Sequence, residues 1–287
     1  MGASVSAGNR ENGMSKWFAT ICTVFLCLVA GAGASLADTY EAIKKRGKIV
    51  VGVKADYRPW GYRDPSGELV GLEIDMAKDL ADTLAVDLEL VPVVGSNRME
   101  FLNQEKIDII IATMGDNMKR RKVVTMIEPN YYAGGTNIIA SKAAGFENWT
   151  DLKNQKICGI QGAYYNRRVL QLYKIDLVAF KGVPEAVNAL QQGSCVGFVY
   201  DNTWIEKTLA EGGEWEAYEM PFETEDPSVW AIGVRHEDAD SPFGLMVKGK
   251  VADWHRTGWL LEHEQKWGIK RSPFLVEMNE ALKTRAK

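Results

Sequence analysis

The chain has 287 residues, 46% of them hydrophobic and 25% charged. That composition excludes a disordered or fibrous chain and suits two modest lobes or one large domain. A formal net charge of -4 supplies no global basic field, which argues against nucleic acid as a partner.

The N-terminus reads as a leader rather than as fold. In "MSKWFATICTVFLCLVAGAGASLA", Lys16 precedes an apolar run from Trp17 to about Ala30, and Ser35 and Ala37 stand at the -3 and -1 positions of a signal-peptidase site. We expect a cleaved secretory signal ending at Ala37, hence an extracytoplasmic, periplasmic protein. The apolar stretch is short for a membrane anchor. Neither Cys22 nor Cys27 follows a small residue, as a lipid-modified cysteine normally does. The polar residues 1–13 ahead of the signal read as an upstream extension. Without residues 1–37 the chain carries 32 basic and 37 acidic residues and two cysteines, Cys158 and Cys195. Two cysteines in an exported chain favour a disulfide, with a pair of buried thiols as the alternative.

Beyond Ala37, apolar runs alternate with helical periodicity. "KIVVGV" (48–53), "DLELVPV" (87–93) and "IDIIIAT" (107–113) read as strands, the last nearly continuous in Ile as for a strand covered on both faces. Between the first two, Ile74, Ala77, Leu80, Ala81 and Leu84 fall on one helical face. "NRMEFLNQ" is a short helix before the third strand. This βαβ pattern predicts an open, mostly parallel sheet. It then restarts with the strands "TNIIAS" (136–141), "KICGIQ" (156–161), "DLVAF" (176–180) and "CVGFVYD" (195–201), with helices "AYYNRRVLQLY" and "PEAVNALQQG" between them. "PSVWAIGV" (227–234) is one more strand, and the tail is helical. The expected architecture is α/β with two lobes, the second inserted in the first. Lobe 1 spans 38–141 and 232–287 and lobe 2 spans 142–231, with crossovers near Ser141–Lys142 and Val229–Gly233.

In open α/β sheets, ligands bind beyond the carboxyl ends of strands. "IDIIIAT" ends at Thr113, and "MGDN" leads into a helix that Asp116 or Asn117 can cap. Gly115 allows close backbone approach. Helix N–H groups favour a bound anion there. Arg120, in the first turn, can reach back over it with a fork suited to a carboxylate. Its neighbours Lys119, Arg121 and Lys122 point elsewhere and read as a solvated face.

The motifs "KADYRPWGYRDPSGELVGLEIDMAKDLA", "NRMEFLNQEKIDIIIATMGDNMKRRKVV", "EPNYY" and "CGIQGAYYN…GSCVGFVYD", in that order and spacing, resemble the periplasmic amino-acid-binding proteins of ABC importers. These form the polar-amino-acid branch of the type II solute-binding proteins. The similarity spans roughly residues 45–270. It implies a two-lobed type II fold with two crossover strands at the hinge, a monomer, a small amino-acid ligand and an ABC permease as partner. It also implies residue roles. Arg120 would hold the ligand α-carboxylate, with Thr113 and Gly115 beside it; a threonine is common where Gly115 stands, so any contact there must come from the backbone N–H. Asp201 would pair with the α-ammonium; its alternative role is N-cap of "NTWIEKTLA". Gln161, Gly162, Ala163 and Tyr164 would begin a helix whose N–H groups close over the ligand. Tyr57 would cover the ligand with its ring, and Trp60 is either site wall or core. Lys54 and Arg98 match positions that meet a distal carboxylate, which points to aspartate or glutamate. Arg98 has a structural alternative in pairing with Glu73, Asp75 or Glu100.

The competing reading is an exported cyclohexadienyl-type dehydratase on the same fold, with Glu73, Glu100 or Glu128 as general acid. A third, the ligand-binding input of a membrane receptor, is disfavoured because no transmembrane segment follows the domain. No G-x-S-x-G, phosphate-loop or H-E-x-x-H motif occurs. His236, His255 and His263 lack metal-ligand spacing, so neither metal nor cofactor is expected.

Overall fold

The structure is a computed structural model that describes residues 1–4 and 38–284. The leader expected to end at Ala37 lies outside the described residues, apart from residues 1–4, which carry no regular secondary structure. No helix among the described residues is long and apolar enough to cross a membrane.

The strands are β1 (Lys48–Val53), β2 (Asp56–Tyr57), β3 (Gly61–Arg63), β4 (Leu69–Val70), β5 (Asp87–Pro92), β6 (Ile109–Ile111) and β7 (Thr125–Met126). They continue with β8 (Tyr132–Ser141), β9 (Lys156–Ile160), β10 (Asp176–Phe180), β11 (Gly197–Asp201), β12 (Tyr218–Glu219), β13 (Glu225–Trp230) and β14 (Gly233–Val234). The first lobe is built on the order β5-β1-β6-β14-β7 and the second on β10-β9-β11-β8-β12, with β13 paired to β8. β2, β3 and β4 form a small antiparallel sheet that the sequence reading lacks.

The parallel core of the first lobe follows from its residues. Ile109, Ile110 and Ile111 are fully buried, in register with Val51, Gly52 and Val53. The helix Leu72–Leu84 buries the expected stripe of Ile74, Ala77, Leu80, Ala81 and Leu84. At roughly 1.5–3 kcal/mol per fully buried large aliphatic side chain, that stripe anchors the helix. In the second lobe, β9 lies parallel to both β10 and β11. A disulfide, Cys158–Cys195, joins β9 to the approach to β11, with its Cα atoms 5.6 Å apart.

Two boundaries differ from expectation. The strand expected at 136–141 begins at Tyr132, and Thr136–Ala140 pair with β11, so this strand lies in the second sheet. The chain has therefore changed sheets before Tyr132, about ten residues ahead of the crossover expected at Ser141–Lys142. The strand expected at 227–234 divides into β13, in the second sheet, and β14, in the first. The two connections run side by side: Tyr131 N–H donates to Trp230 O at 2.9 Å and Ile127 N–H to Ile232 O at 2.9 Å. Aromatic rings cluster there, with Trp230 5.2 Å from Tyr132 and 5.6 Å from Trp60, centre to centre.

Candidate functional site

The carboxyl ends of the central strands from both lobes meet in a small cavity of about 30 Å³. Lys54 enters from the end of β1, Gly95 and Arg98 from beyond β5, and Thr113 and Arg120 from beyond β6. Ile160, Gln161, Ala163, Tyr164 and Tyr165 come from the turn after β9, and Tyr200 and Asp201 from the end of β11. A larger cavity, about 660 Å³, lies between the helix Asn202–Leu209 and the segment Leu261–Pro273. None of the residues singled out from sequence lines it. The small cavity holds the convergent charges and is the candidate site.

Arg120 is its most constrained cation. Asn117 caps the short helix Met118–Arg121, its side chain accepting the Arg120 N–H at 3.0 Å. The buried guanidinium then folds back, donating to Gly115 O at 2.7 Å and, across the cleft, to Gly162 O at 3.0 Å. Burial lowers its pKa to about 9, assisted by repulsion from Arg98, so it remains charged at neutral pH. The other three cations divide. Lys119 and Lys122 are exposed, as expected. Arg121 is not merely solvated: it grips Asp116, donating from Nε at 2.7 Å, and Glu128.

Asp201 stands at the N-cap position of the helix Asn202–Leu209, yet its carboxylate makes no capping bond. It accepts instead from the Tyr57 hydroxyl of the opposite lobe at 2.9 Å. Burial raises its pKa to about 6, against the Tyr57 hydrogen bond and the fields of Arg98, Arg120 and Lys54.

Arg98 is buried and donates to Ala112 O, while its Nε has no partner. The three structural partners offered by the sequence are engaged elsewhere. Glu73 accepts from Thr113 N–H at 2.6 Å and from the Tyr131 hydroxyl, Asp75 binds Lys266, and Glu100 binds Gln104. Burial pushes Glu73 up to about 7. Thr113 sits at φ 44, a left-handed conformation unusual for a β-branched residue. Its amide is spent on Glu73, so the hydroxyl is what it offers the cavity. Lys54 faces Asp56 at 2.7 Å.

Several expected roles need correction. Tyr57 and Trp60 are fully buried in the aromatic cluster and do not line the cavity. The Tyr57 hydroxyl bonds Asp201, and Trp60 takes the core alternative of its two readings. The helix expected to begin at Gln161–Tyr164 begins at Asn166. Gln161 N–H is taken by Phe180 O and Ala163 N–H by Ile160 O, so neither amide is free for a ligand. Gly162, at φ +79, turns its carbonyl, not its N–H, toward Arg120. Tyr164 spends its hydroxyl on Asp226 O at 3.1 Å and sets its ring 5.9 Å from the Arg120 guanidinium carbon. Gly115 is required by space: a Cβ there would stand 2.8 Å from Ser228 Oγ and 3.2 Å from the Tyr164 ring.

Four lining residues, Gly95, Ile160, Tyr165 and Tyr200, were not among those singled out from the sequence. Tyr165 is buried with its hydroxyl unpartnered, and Tyr200 closes the floor beside Asp201. Tyr200 was readable as the inward neighbour of Asp201 on an apolar strand; Tyr165 had no signal distinguishing it from Tyr164.

Residues 49–270 match the model of bacterial extracellular solute-binding proteins, family 3. The ABC transporter glutamine-binding protein GlnH of Bacillus subtilis (strain 168) is 27% identical over 245 residues, covering 83% of this chain and 87% of its own. The cyclohexadienyl dehydratase of Pseudomonas aeruginosa is 28% identical over 151 residues, 51% of this chain and 56% of its own. A crystal structure of the P235GK mutant of the T. maritima protein ArgBP superposes with a TM-score of 0.74 at 26% identity, covering 80% of this chain and 98% of that one. The chain belongs to family 3 of the bacterial extracellular solute-binding proteins and has their two-lobed type II fold.

Proposed function

We propose that this protein captures an acidic L-amino acid, aspartate or glutamate, between its lobes and delivers it to an ABC permease outside the cytoplasm, acting as a monomer. The observation that carries this reading is the charge balance of the cavity. Three cations, Lys54, Arg98 and Arg120, and one anion, Asp201, line it. Asp56 answers Lys54. What remains is one net positive charge, the complement of a dicarboxylic amino acid. Arg120 would take the α-carboxylate as a two-pronged donor. Asp201 would take the α-ammonium. The unpartnered Arg98 Nε and Tyr165 hydroxyl would take the distal carboxylate. In the protein interior such contacts strengthen as closure expels water.

The cavity of about 30 Å³ has room for little more than a water or two. Ligand binding therefore requires the lobes to part, and the paired connections at Ile127–Tyr132 and Trp230–Gly233 are where they would pivot. We place the lobe change at these connections.

The dehydratase reading is favoured by the likeness to the Pseudomonas enzyme and by Glu73, a buried carboxyl with a raised pKa. Glu73 does not line the cavity, however, and both its assigned donors are structural. A binder returns its ligand unchanged, so a turnover assay separates the two.

The deciding experiment is a thermal-shift screen of the twenty amino acids followed by calorimetry. Aspartate or glutamate should give the largest shift, and Arg120→Ala should weaken binding at least tenfold, about 1.4 kcal/mol, with an unchanged fold. If neither acid binds, the ligand assignment fails; if Arg120→Ala binds normally, the carboxylate assignment fails.

A further inference from the structure

We propose that Asp56 is a latch that caps a helix of the opposite lobe only when the cleft is closed, and so sets how long a ligand stays. Asp56 lies on β2 in the first lobe. Its Oδ1 faces the Lys54 ammonium at 2.7 Å, and its Oδ2 accepts the backbone N–H of Val183 at 3.0 Å. Val183 opens the helix Val183–Gln191 of the second lobe.

That helix has no cap of its own. Its N-cap residue is Gly182, which has no side chain to accept a first-turn N–H. Glu185, in the first turn, forms no hydrogen bond to it. Both carboxylates crowd this position: a Cβ at Gly182 would stand 2.7 Å from Glu185 Oε2 and 3.0 Å from Asp56 Oδ2. With the lobes apart, Val183 N–H faces water and the helix N-terminus keeps only Glu185, which does not bond it. With the lobes together, the carboxylate meets both that N–H and the positive end of the helix dipole. Backbone contact seals the cleft elsewhere along its mouth, where Gly162 lies against Gly95: a Cβ on Gly162 would come within 2.6 Å of the Gly95 carbonyl.

Asp56 is thus a positioning residue that joins a cavity cation to the opposite lobe. Because the bond exists only in the closed arrangement, its loss must act on ligand release and leave capture alone. Holding Lys54 by its partner also keeps that ammonium from reaching freely into the site.

The test is hydrogen–deuterium exchange at Val183 in the full chain, alone and in saturating L-glutamate, with stopped-flow kinetics of glutamate release. In Asp56→Ala, exchange at Val183 should quicken about fivefold or more, the range of a lost N-cap, and release should quicken in step while the association rate stays within about twofold. Asp56→Asn, whose amide oxygen still caps, should exchange like the parent, and Glu185→Ala should change nothing. Exchange at Val183 that is identical in parent and Asp56→Ala, with and without glutamate, overturns the latch. So does an equal fall in association and release rates. The inference stands apart from the ligand assignment: Val183 exchange that responds to Asp56→Ala in a protein indifferent to glutamate keeps the latch and removes the acidic ligand.

Discussion

Asp201 and Glu73 are both carboxyls whose pKa burial raises, to about 6 and about 7, and pH acts on them in opposite senses for stability and for binding. A carboxyl with a raised folded pKa contributes stability that is present below its unfolded pKa and lost as pH rises through the folded one. The ligand-free protein should therefore melt at a lower temperature at pH 8 than at pH 5, and Glu73→Gln should flatten that dependence in a calorimetric scan. Ligand binding runs the other way. An α-ammonium needs Asp201 ionised, so affinity should fall as pH drops below about 6, by up to tenfold per pH unit, each decade being about 1.4 kcal/mol. An affinity constant between pH 5 and 7 would remove Asp201 from the ammonium role. Gly115 yields a second residue-level outcome. Gly115→Thr, restoring the residue common in the family, would press on Ser228 Oγ and should weaken binding about tenfold, some 1.4 kcal/mol; Ser228→Gly in the same chain should recover most of it. Arg120 was legible from sequence because a strand end, a glycine and a cap precede it. Tyr57 lies outside the lining of the closed cavity with its hydroxyl on Asp201, a contact from the opposite lobe that sequence position does not announce.

At the scale of elements, the sequence located strands and helices well where one face is uniformly buried. β1, β10 and the helix Leu72–Leu84 fall within a residue of expectation, since an unbroken apolar run or a 3.6-residue stripe has one satisfactory packing. The errors sit where chain direction is set by partners far away. β8 starts early because Tyr132, Ala133 and Gly134 pair with β13, ninety-odd residues on, a contact no local pattern announces. The turn after β9 delays its helix because Ala163 N–H closes on Ile160 O and Asn166 reaches back to the same carbonyl. The disulfide, favoured for two cysteines in an exported chain, is present in the structure across a separation of 37 residues. Serine at both positions, Cys158 and Cys195, should cost roughly 4 kcal/mol of stability on the chain-entropy model, read as a lowered denaturant midpoint at unchanged slope. Because neither cysteine lines the cavity, ligand affinity at low temperature should be retained.

For the molecule as a whole, binding is a matter of two lobes and the connections between them. Trp230 sits at one connection and touches Tyr57, Trp60, Tyr131 and Tyr132. A change in lobe angle must move these rings against one another, so ligand addition should produce a saturable change in tryptophan emission. Emission that stays flat while calorimetry records binding would count against hinge closure. Trp230→Phe should abolish most of the signal while leaving the affinity largely intact, since Trp230 does not line the cavity.

The sequence by itself determined the fold class, the family resemblance and the identity of the principal charges, because burial periodicity and the residues at strand ends are local properties of the chain. Tertiary structure alone decided which of those charges are already answered. Lys54 is met by Asp56, Arg121 by Asp116 and Glu128, and Glu73, on one of its two oxygens, by Tyr131 and the Thr113 amide. Arg98 and Tyr165 are left with unanswered donors. A charge is defined by its side chain, but its availability is defined by what lies within three ångströms of it, and those neighbours come from distant parts of the chain.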